Sequence, residues 1–311
     1  DGGLVLALGD TGRRIYPRSA VKAFQALPLI ESGVADALGL SDDEIALAVS
    51  SHGGEPAHVA TARRMLARAR RDETALECGA HWPMAQRAAN DLVRAGSRPS
   101  AIHNNCSGKH AGFICLACAD GGEPEGYVKA THPTMRTVMG AVSDMTEAAM
   151  ESDSIGIDGC SIPTQSAVLA TIARGFARLC TGQHLGPARA AAGRRILQAA
   201  ARAPFMVAGT DRFCTDVMAL LGQRVFVKTG AEGVYCAAFP ELGLGVALKC
   251  DDGTTRASEI MMAAVIARFL PMSEQETVAF GRFLYPEIRN WNGLLTGSMR
   301  PTAALAPNSA P

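Results

Sequence analysis

The chain has 311 residues, 48% hydrophobic and 19% charged, and its thirty basic and thirty acidic side chains give a formal net charge of zero. That balance gives no reason to expect a nucleic-acid or acidic-membrane partner, and the length allows a large core, so a small molecule is the expected partner. Nine cysteines without framework spacing argue for a reducing compartment, and no apolar run reaches the ~18 residues of a membrane span, so a cytoplasmic protein is expected.

Residues 4–8 follow two glycines and read as the second strand of a hairpin whose first strand would precede Asp1. Pro17 is placed to open a helix carrying Arg18, Ser19 and Lys22, and Pro28 to bend or end it. The apolar run 45–49 then leads into Ser50-Ser51-His52-Gly53-Gly54-Glu55, where paired glycines signal a sharp turn and a close backbone approach. Helices are expected over about 56–71 and 84–95. Residues 103–112 concentrate Asn, Cys, Lys and His between apolar elements, a mixture that packing alone does not explain, and an apolar helix should continue to about 119.

Residues 121–126 read as loop, and Pro133 should start a helix reaching about 151, with its methionines as core filling. Residues 155–165 read as a strand interrupted by glycines. Helices follow at about 166–180 and 186–203, then one capped by Thr210 or Asp211 that runs to 221. Short strands at 224–228, 233–239 and 244–250 have meander spacing, and an apolar helix over 256–269 closes the core. The tail from Pro301 reads as loop. The order is α+β: an antiparallel sheet with packed helices and a mostly helical part. We expect a single domain over 1–311, with two intimate lobes, a helical one at about 41–222 and a sheet lobe from 1–40 plus 223–300.

Ser19 and Lys22 stand three residues apart, so on a helix they share a face and could converge on one proton. A serine hydroxyl needs a base, and lysine serves only if its pKa falls from about 10.4 towards ~7–8, which burial or a second cation must bring about. Lys228-Thr229-Gly230, ending an apolar strand, supplies that cation, and Ser51 could stand between the two lysines. The plainer reading leaves Ser19 as a helix cap and Lys22 on a solvated face. Cys106, Lys109 and His110, with Asp158 and Cys160 later, form a metal-like group that would suit zinc, although lysine must first lose its proton. Cys115-x-x-Cys118 lies in an apolar helical run and reads as buried core.

Taken together, residues 17–28, Ser51-His52-Gly53-Gly54-Glu55, residues 103–112, Asp158-Gly159-Cys160 and residues 228–234 resemble the class 3, rhizobial-type L-asparaginases, the L-asparaginase II family. The resemblance implies a fold like the serine β-lactamases and glutaminases, commonly as a homodimer, and hydrolysis of L-asparagine to L-aspartate and ammonia. It implies Ser19 as nucleophile with Lys22 as its base, and Ser51 with Lys228 as a second Ser-Lys tandem. Cys106, Lys109 and Cys160 would hold zinc, with His110 and Asp158 around it; Arg18 and His52 join these as residues supporting the site or the substrate. Gly53 and Ala23 depart from the residues common at those family positions. A glutaminase, β-lactamase or peptidase would share the Ser-Lys logic, and a non-catalytic zinc protein would share the cysteines.

Overall fold

The computed structural model describes residues 2–149 and 154–306. At its centre, strands Phe226–Thr229, Val234–Phe239 and Leu244–Lys249 form an antiparallel sheet in chain order, with Lys228 opposite Cys236 and Tyr235 opposite Leu248. The middle strand is buried along its whole length, which is why it reads as an unbroken apolar run rather than an alternation. Helices Leu169–Thr181 and Thr255–Phe269 pack against this sheet. A Cβ on Gly245 would stand 2.0 Å from the Ala173 carbonyl oxygen, so only glycine lets the last strand come this close to the first of those helices.

The helical part is built around Ser107–Ala117, of which every residue but Leu116 is buried. Such a helix belongs in the middle of a core. Helices Asp42–Ala48 and Pro56–Arg68 pack on it. The first begins with a capping box in which Ser41 and Glu44 satisfy each other's backbone N–H, and the fully buried Glu44 also binds Arg68 at 2.8 Å. One contiguous apolar cluster runs from Ile15 to Leu284 and joins the helical part to the sheet.

The α+β class and the meander agree with the sequence reading, but several elements differ. Residues 4–8 form no strand, and Leu4, Val5 and Leu8 are exposed. An isolated segment with no hydrogen-bonded neighbour cannot be a strand whatever its apolar content. The expected helix after Pro17 is three short pieces: a 3-10 turn Arg18–Val21 and helices Lys22–Gln25 and Leu27–Glu31. Pro28 falls in the first turn of the last piece, where its missing N–H costs nothing.

The helix expected to end near 151 is Pro133–Thr146, and the final part of that expectation, 150–151, lies outside the described residues. The interrupted strand is a hairpin, Ile155–Ile157 paired with Pro163–Gln165. Thr210 and Asp211 do not cap helix Phe213–Leu221; Thr210 binds Glu55 instead. Helix Glu274–Leu284 and the exposed hairpin Glu287–Arg289 with Leu295–Ser298 complete the fold. Among the described residues no helix is long and apolar enough to cross a membrane.

Candidate active site

The Ser19 turn lies against the open end of the central sheet. A Cβ on Gly230 would sit 2.7 Å from the Pro17 carbonyl oxygen, so the glycine of Lys228-Thr229-Gly230 is what admits the turn to the strand end. Lys22 opens the next helix and is fully buried. Its amine donates to the Ser50 carbonyl at 2.5 Å, to Ser51 Oγ at 3.0 Å and to Cys106 Sγ at 3.1 Å. These use all three donors of an ammonium. Ser19 is not among the partners, and its half-buried hydroxyl makes no hydrogen bond among the described residues.

From the sheet side, the Lys228 amine donates to Ser51 Oγ at 2.8 Å and to the Thr229 carbonyl at 2.7 Å. Ser51 therefore stands between two buried lysines. The turn that presents it is fixed by its own backbone: Ser51 N–H donates to the Val207 carbonyl and His52 N–H to the Asn105 carbonyl. Gly54 has φ 74° and lies 3.0 Å, at its would-be Cβ, from the His103 carbonyl, which confirms the close approach read from the paired glycines. Glu55 then accepts from the Thr210 N–H and hydroxyl and binds the 209–210 loop to the start of helix Pro56–Arg68.

Beyond Lys22 the network continues through sulfur. Cys106 and Cys160 are both free and lie side by side, and Lys109 Nζ donates to Cys160 Sγ at 3.0 Å. The resulting series is Lys228, Ser51, Lys22, Cys106, Cys160, Lys109. The Cys160 hydrogen bond together with Lys22 and Lys109 pulls the Cys106 thiol well below its usual range despite burial, while Cys160 is driven up as holder of the shared proton. The pair thus favours a thiolate on Cys106 and a thiol on Cys160. Burial opposes a charged Lys109, but that thiolate outweighs it and holds the amine protonated. Burial lowers the other two amines, and for Lys22, bonded to Cys106 at 3.1 Å, it outweighs the pull of that sulfur. Lys228 falls to about 7 through burial and the charge of Lys22.

Two further sequence-derived residues form a separate pair. Arg18 Nε and Nη2 donate to Asp158 Oδ1 at 3.0 and 2.8 Å. Burial raises the Asp158 carboxyl, yet Lys109 and Arg18 outweigh it and hold it below its ordinary value. The two histidines lie behind the network. His52 accepts from Gly54 N–H at Nδ1, so the Nε2–H of this tautomer donates to Ser107 Oγ at 2.9 Å. His110 Nδ1 meets the Tyr127 hydroxyl at 2.8 Å, and its buried Nε2 has no partner. Burial and the neighbouring cations keep both rings neutral. Tyr127, fully buried and also bonded by the Glu77 N–H, was not foreseeable from a polar stretch of glycine and proline.

The L-asparaginase II family model matches residues 1–301. The chain belongs to the L-asparaginase II family. It is a hydrolase acting on an amide, and asparagine is the substrate that the family implies. No individual curated protein matches it. In this family member all the side chains just described fall inside the matched span.

The same geometry fixes a pH dependence. Lys228 is neutral above about 7 when folded, whereas an unfolded lysine stays protonated to about 10.4. Between those values the unfolded chain binds more protons, so this group makes stability rise with pH across that window and fall as pH drops towards 7. Nitrogen-15 NMR of lysine-labelled protein should show one side chain titrating near pH 7, absent in Lys228→Met and shifted upward in Lys22→Met. A Lys228 that titrates near the ordinary lysine value would contradict this electrostatic reading.

Proposed function

We propose that this amide hydrolase converts L-asparagine to L-aspartate and ammonia through an acyl-enzyme on Ser19. The observation that carries the reading is the buried Lys22–Ser51–Lys228 arrangement, in which the cation needed to lower a lysine pKa is present and bonded to the same hydroxyl. Ser51 is 4% exposed, which suits a relay between amines, whereas the half-buried Ser19 is open to a substrate. Ser19 Oγ attacks the side-chain amide carbon and gives its proton to Lys22. Lys22 returns it to the departing ammonia, and water hydrolyses the ester. The first N–H groups of a helix have no partner within it, so the Ser19 N–H is available to the tetrahedral oxyanion.

The juxtaposition of a Lys-Thr-Gly strand end with a Ser-x-x-Lys turn supports a β-lactamase-like arrangement around the site. A homodimer, a single amidohydrolase domain over the whole chain and a cytoplasmic location belong to the same reading. The contiguous core supports the second, and nine free cysteines support the third.

For the metal, no group of three His, Cys, Asp or Glu ligands exists among the described residues, so a zinc ion would need Lys109 beside Cys106 and Cys160. The donor set fits in kind: two buried thiols and one amine converge, with Lys109 Nζ 3.0 Å from Cys160 Sγ and Cys106 favoured as thiolate. Bound there, zinc would supply a fixed positive charge that orients the substrate. Lys109 must then give up the proton that the thiolate holds on it, so metal uptake should strengthen with pH.

Ammonia release from L-asparagine and L-glutamine tests the reaction. Asparagine should be the better substrate, and Ser19→Ala should lose at least ~10³-fold in kcat while keeping its circular dichroism spectrum. Substantial residual turnover would remove Ser19 as nucleophile. Independently, Cys160→Ser should lose bound zinc on metal analysis and raise KM, and an unchanged zinc content would sink the ligand assignment.

A further inference from the structure

The ion pair beside Ser19 has two unequal halves. Arg18 stands at φ 53°, a left-handed conformation that a residue with a side chain adopts only under constraint. Its two hydrogen bonds to Asp158 Oδ1 supply that constraint. The Asp158 side chain is 12% exposed and is itself held by the Gly159 N–H at 2.8 Å. Arg18 Nη1 turns the other way and donates to Glu232 Oε1, on a side chain 65% exposed. Glu232 lies on the turn after Lys228-Thr229-Gly230 with φ 62°, and its carbonyl accepts from Lys249 Nζ at 2.5 Å. One carboxylate is built in. The other rests on the guanidinium from a backbone that is anchored elsewhere.

Solvent screens an ion pair to so exposed a carboxylate, so the Glu232 side chain can leave Arg18 at little cost. A free amino-acid amide brings a carboxylate and an ammonium on adjacent atoms, which match this pair charge for charge. We propose that Arg18 and Glu232 read the α-groups of the substrate: the α-carboxylate replaces Glu232 on the Nη1 edge of Arg18, and the released Glu232 receives the α-ammonium. The inference rests on the proposed amidase reading, since it places the reader next to Ser19 in the chain. The guanidinium faces a carboxylate before and after the exchange, so neither state leaves an unpaired charge. Specificity follows. Free asparagine satisfies both groups, whereas an Nα-acylated asparagine, or one within a peptide, leaves Glu232 without its cation.

Glu232→Gln keeps the shape and removes the charge at an exposed position. Three quantities should be compared with the wild type: kinetics on L-asparagine, kinetics on Nα-acetyl-L-asparagine, and the calorimetric affinity for L-aspartate, which carries the same α-groups without reacting. The variant should raise KM for L-asparagine about tenfold with kcat within about twofold, bind L-aspartate about tenfold more weakly, and lose nothing on the acetylated substrate. An equal loss on both substrates would mean that Glu232 only orients Arg18, and no change on either would mean that it is idle; both overturn the proposal. If the wild type releases no ammonia from asparagine, the amidase reading fails, and L-aspartate affinity still decides this one: a drop supports α-group reading and an unchanged value overturns it.

Discussion

Three lysine amines, those of Lys22, Lys109 and Lys228, are buried along one series of hydrogen bonds, and the interior can stabilise only as many cations as it has counter-charges. The counter-charge comes from the sulfur pair, in which Cys106 is favoured as thiolate. It holds the proton on Lys109, the amine bonded to the sulfur pair at its far end. Burial lowers both Lys22, against the pull of Cys106, and Lys228, helped by the charge of Lys22, and Lys228 comes to about 7. One hydroxyl, Ser51 Oγ, thus lies between two buried amines that are both lowered, an arrangement that supports the proposed proton relay. The chemistry of the site follows from this charge balance more than from any one residue.

The fold serves that balance by bringing four separate segments within hydrogen-bond reach. The strand end delivers Lys228, the short helix after the Ser19 turn delivers Lys22, the glycine-rich loop delivers Ser51, and the buried helix Ser107–Ala117 begins at Cys106. Glycines make the approach possible at two of these junctions, Gly54 against the His103 carbonyl and Gly230 against the Pro17 carbonyl. The site is therefore a meeting of the helical part with the sheet. Its amines are dry because each of these segments is covered by the others, and that dryness is what moves their pKa values.

How much of this was legible in the sequence depends on the range of the interaction concerned. The Lys-Thr-Gly strand, the glycine turn after the apolar run and the concentration of polar groups at 103–112 are local patterns, and all three meet in one buried network. The place of Ser51 between the two lysines was legible too; that Lys22 also bonds Cys106, and does not bond Ser19, was not. A helical-face argument pairs it with Ser19, whereas a 3-10 turn precedes its helix and the amine crosses to Ser51 and Cys106. Residues 4–8 carry strand-like composition without a neighbour to pair with, and composition holds no information about neighbours. Thr210 looked like a cap because caps are read locally; its bond to Glu55 spans 155 positions of chain. Glu232 carried no signal beyond its place after the Lys-Thr-Gly motif, and only the backbone turn sets it on Arg18.

The central claim, that the lysine relay around Ser51 serves a nucleophile at Ser19, is tested most directly by locating the acyl group. Wild-type protein mixed with L-asparagine and quenched in acid during turnover should yield, on peptide mass spectrometry, a β-aspartyl ester on the peptide that carries Ser19, at that residue. The same adduct found on Ser51 or Cys106, or steady turnover with no adduct on any side chain, would contradict the account.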